Sequence, residues 1–365
     1  METIAFLDHL KAAYRGAALT QMIELGARHG LFDALASGPT TSEGLAARTG
    51  LNERQLREWL GATTVGQITS FDPATLVYTL PSEHALWLTG TRHTNITPIA
   101  GMLNGLSQRI PDVADAFHHG RGVPYEAYRP HFTCSMDVVG RAKYDALLVK
   151  VYLSKVAGLL ETLRSGARVA DVGCGTGHCI NLMAKAFPLS AFVGFDFSTE
   201  AIDHARTEAA EMGLTNATFE VADAATVADH HEPFDVAFAF DAIHDQADPA
   251  GVLAAIHRSL KPHGRFVMLD INASSDLADN TADPGNLILY AMSVMHCMQV
   301  SLAGGGPGLG TVWGHQLATT MLGDAGFTGI ERFDLEGDPT NCLYASTAIR
   351  FDQAGEVGHG WSLPS

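Results

Sequence analysis

The chain has 365 residues, 46% of them hydrophobic and 17% charged, with 23 basic against 40 acidic side chains and a formal net charge of −17. That balance predicts a globular protein of one large or two ordinary domains rather than a disordered chain. A field of that sign repels phosphate backbones and anionic lipid, so no nucleic acid and no membrane partner is expected, and a small neutral or cationic molecule is.

The opening METIAFLDHLKAAYRG lacks a basic n-region and a cleavable apolar segment, so no signal peptide is expected. Residues 1–90 read as a helical domain ending in a wing. TTSEGLAARTG and LNERQLREWLG give two short helices broken at Gly50, with Thr41 or Ser42 capping the first and Asn52 the second. ITSF and LVYTL, joined through Asp72-Pro73, give the two strands. A winged helix-turn-helix can read DNA, but this one carries six basic against nine acidic residues, and Glu53 and Glu58 flank Arg54 and Arg57 on its second helix. A dimerisation or lid module is therefore expected, and a cofactor-sensing, DNA-binding regulator is the alternative reading of the whole chain.

Residues 91–165 form a helical connector and lid rich in Gly, Pro and aromatic residues, with Tyr125 and Tyr128 as packing residues. Residues 166–350 alternate strand-like runs (ARVADVG, AFVGFDF, ATFEVAD, FDVAFAF, GRFVMLDI, GIERFDL, CLYASTAI) with helical ones, and 351–365 follow as a C-terminal tail. The alternation predicts an α/β fold, Rossmann-like, with a mostly parallel sheet covered on both faces. KPHG at 261–264 reads as a turn before the fifth strand. The apolar run from Asn286 to Gly304 is near membrane-spanning length, but Asn286, Ser293, His296, Gln299 and Ser301 interrupt it, so a buried helix is expected. Cys134, Cys174, Cys179, Cys297 and Cys342 are odd in number and contain no C-x-x-C pair, which fits free thiols in a reducing, cytoplasmic compartment.

The glycine loop after the first strand of the α/β section, RVADVGCGTGHC, selects the ligand. A P-loop would need a following Gly-Lys-[Ser/Thr], and a dinucleotide fingerprint would need a small residue where His178 stands. What remains is D-x-G-x-G-x-G at Asp171, Gly173, Gly175 and Gly177, which clears room for a nucleoside and an amino-acid tail. Asp171 can receive the ammonium of that tail, Asp196 at the second strand end both ribose hydroxyls, and Asp223 at the third the adenine amino group. The pattern fits S-adenosylmethionine, with Cys174, Phe197, Ala224 and Asp241 as neighbouring contacts.

These residues resemble the class I S-adenosylmethionine-dependent methyltransferases, and the N-terminal winged helix extends the similarity towards small-molecule O-methyltransferases. Within that group the chain is most similar to a largely uncharacterised bacterial and animal branch, which shares segments like FDAIHDQADP and DPTNCLYA. The resemblance implies a seven-stranded sheet whose last strand is antiparallel, a small-molecule acceptor and a homodimer. It also implies that His244, in FDAIHDQADP, matches the catalytic histidine of the plant-type enzymes, although the following Trp of their motif is Gln246 here and the acidic partner is not identifiable. Imidazole titrates near cellular pH and can take a proton from an oxygen or nitrogen acceptor, so His244 and Asp245 are the catalytic candidates. His296 and Trp313, in the Met-rich run and Gly-Pro loop, are the substrate-side candidates. The paired histidines at 118–119 and 230–231 lack carboxylate–histidine ligand spacing, so no metal is expected.

Overall fold

A computed structural model describes residues 3–129, 131–227 and 231–349; the tail 351–365 and His230 lie outside the described residues. The chain divides into two compact units, residues up to Leu148 with Val294–Gly304, and Val149–Ser293 with the residues from Gly305 on. The helical stretch 91–165 is thus shared between them. Of the three passages from one unit to the other, those at 148/149 and 293/294 fall within π-helical turns, Leu148–Tyr152 and Ser293–Cys297, and the third follows at 304/305.

In the first unit a long helix, Thr3–Arg28, precedes the short helices Leu31–Ala36, Ser42–Thr49 and Glu53–Val65. Thr41 is the cap of the third of these, its hydroxyl accepting from Gly44 N–H at 3.2 Å, and Asn52 caps the fourth through Gln55 N–H at 3.2 Å. Leu31, Phe32, Leu45, Leu56, Trp59 and Leu60 close the core of this small domain, and the Trp59 indole N–H donates to the Met22 carbonyl. The wing is β1 (Ser70–Asp72) paired antiparallel with β2 (Val77–Thr79), and Tyr78 bridges onward to Thr40. Asp72 forms the turn, accepting from Ala74 N–H and the Thr75 hydroxyl.

The second unit is built on a seven-stranded sheet: β3 (Arg168–Val172), β4 (Ala191–Asp196), β5 (Ala217–Val221), β6 (Phe234–Phe240), β7 (Leu260–Ile271), β8 (Phe327–Leu335) and β9 (Asp338–Ala348). Their order across the sheet is β5-β4-β3-β6-β7-β9-β8, parallel except for β9, which runs antiparallel to both β7 and β8. The central strands read as continuous apolar runs because helices cover both faces, burying Ala170, Val172, Ala237, Ala239, Phe266 and Met268 in one core. Strand order reverses between β3 and β6, which opens a crevice beyond their carboxyl ends.

Two expectations change. KPHG does not precede the fifth parallel strand but lies inside β7 as a bulge: pairing jumps from Phe234–Leu260 to Val236–Arg265, and His263 takes the left-handed φ of 63° that the turn signal required. The Asn286–Ala303 run is helical, long and apolar enough to cross a membrane by length and composition, yet only 28% of it is buried, so it is not the buried helix expected. Its buried residues are the polar His296, Gln299 and Ser301 with Leu289 and Cys297, while Leu287 and Ile288 are exposed.

Candidate active site

The site of the second unit starts at the bend between β3 and the helix His178–Ala186. Gly173 and Cys174 N–H both donate to the Phe195 carbonyl, at 2.8 and 2.9 Å, which folds the bend against the end of β4. Gly177, at φ 72°, turns the chain into the helix, and a Cβ there would stand 2.5 Å from both the Ala205 methyl and the Phe219 ring. Gly175, at φ 53°, faces open space with no atom within 4 Å of a built Cβ. His178, which displaces the small third residue of a dinucleotide fingerprint, lies 2.9 Å from Glu208, and Asn181 donates to the same carboxylate at 2.8 Å. The loop is therefore tied on one side to β4 and on the other to the helix Thr199–Glu211.

The acids at the strand ends differ in what occupies them. Asp196 accepts from Gly175 N–H through Oδ2 at 2.9 Å and from Ser198 N–H through Oδ1 at 2.8 Å. Asp171 is 1% exposed, and its Oδ1 has no hydrogen-bond partner among the described residues. Burial, reinforced by the nearby Asp196 charge, pushes the Asp171 carboxyl well above the usual range. A buried acceptor of this kind is costly unless a cation completes it, and an amino-acid ammonium beside the open Gly175 bend would do so. Asp223 is exposed; its Oδ1 caps the short 3-10 turn Ala224–Thr226 through Ala225 N–H. Phe197 is exposed at the end of β4. Cys174 sits under the bend, its Sγ where a side chain on Gly194 would fall, and burial raises its thiol pKa.

Asp241, just past β6, has φ 52°, and its Oδ1 accepts from Asn341 Nδ2 at 2.6 Å. Three residues on, His244 is 4% exposed, with Nδ1 2.8 Å from Asp270 Oδ1. Asp270 ends the apolar run of β7 and is the acidic partner that the sequence left unnamed. Its Oδ1 also receives Ile271 N–H at 2.8 Å and the Trp313 indole N–H at 3.0 Å. An oxygen already accepting two N–H groups is an acceptor for the third as well, so Nδ1 of His244 carries the proton and Nε2 is the basic nitrogen. Asp245 lies beside this pair: burial lifts its carboxyl to about 6, the His244 charge opposes the rise, and Asp270 and Asp196 add to it.

The remaining candidates fall in two places. Trp313 is buried in the main core with its indole on Asp270. His296 belongs to the first unit, where its ring packs on Tyr128 at 4.6 Å and Phe132 at 4.3 Å, and the Tyr128 hydroxyl donates to the Met295 carbonyl at 2.6 Å. Among the described residues no group of three His, Cys, Asp or Glu side chains is placed to hold a metal ion.

Residues 163–326 match the family described as a methyltransferase domain, and residues 17–90 match an Rv2258c-like winged helix-turn-helix domain. The ubiquinone biosynthesis O-methyltransferase of Actinobacillus pleuropneumoniae is 36% identical over 111 residues, 29% of this chain and 47% of that protein. The chain thus spans about half the length of the curated relatives it matches. Among solved structures, an O-methyltransferase family protein from Burkholderia thailandensis superposes with a TM-score of 0.70 at 16% identity, covering 96% of this chain and 99% of that one. Human N-acetylserotonin methyltransferase in complex with S-adenosylmethionine gives 0.71 at 17% identity, with the same coverage. At such identities these likenesses establish the fold, which runs through both units. The glycine bend, the strand-end acids, the seven-stranded order and the two family matches agree: residues 163–326 form a methyltransferase domain and residues 17–90 a winged helix-turn-helix domain.

Proposed function

We propose that the protein transfers a methyl group from S-adenosylmethionine to an oxygen or nitrogen of a small molecule, with His244 as general base. When bound, the cofactor supplies a methyl group on a positively charged sulfur. Asp171 would hold its ammonium, Asp196 its ribose and Asp223 its adenine, with Gly173, Cys174, Gly175, Gly177, Phe197, Ala224 and Asp241 shaping the cleft around it. His244 Nε2 takes the proton from the acceptor as the new bond to carbon forms, and Asp270 holds the resulting imidazolium through Nδ1–H. Most of the rate gain would come from aligning acceptor and donor away from water.

One observation carries this reading: the glycine bend packs against the segment of the proposed base, a Cβ on Gly173 standing 2.6 Å from the Ala242 methyl, two residues before His244 and its 2.8 Å contact with Asp270. The winged helix supports pairing between two copies of the chain more than DNA reading. Arg54 is paired with Glu58 at 2.6 Å and Arg57 with Glu53 at 3.3 Å, while Ile4, Phe6, Leu7 and Tyr14 of the first helix are exposed. Among the described residues the five cysteines form no disulfide, which supports a cytoplasmic protein.

Calorimetry with S-adenosylhomocysteine tests the cofactor half, and transfer of tritiated methyl to a panel of phenols and amines tests the other. His244→Ala should lower turnover by about 10²-fold or more while leaving S-adenosylhomocysteine affinity within about twofold. Equal losses in both would assign His244 a structural role.

A further inference from the structure

We infer that Trp313 is a positioning residue for the general base, acting through Asp270 rather than on the substrate. The inference rests on the reading of His244 as base. A carboxylate offers two equivalent oxygens, and rotation about its last side-chain bond would exchange them and tilt any imidazole it holds. Here the exchange is blocked by crowding every donor onto one oxygen: Trp313 Nε1–H, Ile271 N–H and His244 Nδ1–H all meet Oδ1 of Asp270. Oδ2, equally buried, has no hydrogen-bond partner among the described residues. So lopsided an arrangement fixes which oxygen faces His244, and with it the tautomer and the direction of Nε2.

The indole itself is held on its backbone side. Ser275 Oγ–H donates to the Trp313 carbonyl at 2.7 Å, and Ser275 N–H donates to Gln316 Oε1 at 2.7 Å. The next residue, Gly314, adopts φ +80° where a Cβ would lie 2.0 Å from the Ser275 nitrogen, so only glycine lets the two segments close this far. His315 N–H then bonds to the Ala273 carbonyl at 2.9 Å. The segment after β7 and the segment carrying Trp313 are thus laced together over four residues, and the ring, 4% exposed, has no room to swing away from Asp270. A residue that only filled the core would not need its nitrogen aimed at the acid behind the base.

The test is an NMR titration of His244 in ¹⁵N-histidine-labelled protein, its resonance assigned by loss in His244→Gln. The titratable groups facing His244 are Asp270 and Asp245, with Asp196 beyond Asp245, and all are kept. Trp313→Phe keeps most of the ring and removes the donor, leaving the Asp270 charge less shared and its hold on the imidazolium stronger. The His244 pKa should rise by about half to one pH unit, with the Nδ1–H tautomer still dominant in the neutral form. Replacing Trp313 with benzothienylalanine, which keeps the bicyclic shape without the N–H, should give the same shift even where Phe unfolds the protein. In an Asp270→Asn background Trp313→Phe should add no further change. An unshifted His244 titration in both Trp313 variants, with S-adenosylhomocysteine still bound, overturns the inference alone. Failure of the wild-type protein to bind S-adenosylhomocysteine overturns the function on which it rests.

Discussion

Asn341 Nδ2 donates to Asp241 Oδ1 at 2.6 Å, tying the residue just past β6 to a strand two places away in the sheet. The bond restrains a non-glycine residue at φ 52°, a conformation that Asp tolerates better than most residues but does not prefer. Asn341→Ala should cost about 1 kcal/mol of stability and lower S-adenosylhomocysteine affinity by about fivefold, since Asp241 is a cofactor candidate. Asn341→Asp sets two carboxylates face to face and should weaken affinity further. Calorimetry and urea unfolding on the two variants check this; unchanged affinity in both removes Asp241 from the cofactor cleft.

How the sequence failed at Asp270 is instructive. Asp171, Asp196 and Asp223 were legible because each lies at or just beyond the carboxyl end of a short strand, the first beside a recognisable glycine loop. Asp270 obeys the same rule at the end of FVMLDI, but it was read as part of a strand, and its partner His244 lies 26 residues earlier. Proximity of that kind is made by the pairing of β6 with β7, which no local pattern encodes. Applying the strand-end rule to every strand would have found it. The indole–carboxylate contact had no such signal, because Trp313 sits in a glycine-rich loop whose path is set by packing on Ser275. KPHG illustrates the converse: the turn chemistry was real, and the sheet absorbed it as a bulge.

The unpartnered Oδ1 of Asp171 predicts a proton signature. Its pKa is raised in the free protein by burial first and by Asp196 second, so the group holds a proton to higher pH than an ordinary carboxyl. Pairing with a ligand ammonium favours the ionised form and lowers the pKa, so binding should release a proton. Calorimetry in buffers of different ionisation enthalpy should therefore show proton release by the protein on binding S-adenosylhomocysteine, with affinity rising as pH rises towards the free-protein pKa. Asp171→Asn should abolish that release and lower affinity by at least about tenfold, while making the free protein more stable at neutral pH.

Two glycines of one bend should fail in different ways. Alanine at 177 meets Ala205 and Phe219 at 2.5 Å and inherits a φ of 72°, so Gly177→Ala should destabilise the fold by about 2–4 kcal/mol. Alanine at 175 meets nothing within 4 Å, so Gly175→Ala should cost only the left-handed backbone penalty of about 1 kcal/mol. Its methyl would instead project into space where the cofactor is placed, reducing affinity by more than about tenfold. Thermal unfolding paired with calorimetry separates the two; a Gly175→Ala protein that binds normally would move the cofactor elsewhere.

Asp245 gives the stability of the protein a pH dependence whose sign is fixed. Burial raises its carboxyl from 3.8 to about 6, so the folded state binds that proton more tightly than the unfolded chain does. The stabilisation relative to an ionised group is fully present below pH 3.8, is lost as pH rises through about 6, and is absent above it. The displacement corresponds to at most ~3 kcal/mol, and since Asp245 is only partly buried about 1–2 kcal/mol is the expected size. Asp245→Asn should accordingly match the wild type near pH 4 and exceed it by that amount at pH 7.5 in urea unfolding. The gain should grow in His244→Ala, because an imidazolium beside Asp245 is the one charge that opposes the rise; a gain independent of both pH and His244 would mean that packing, not ionisation, governs the site.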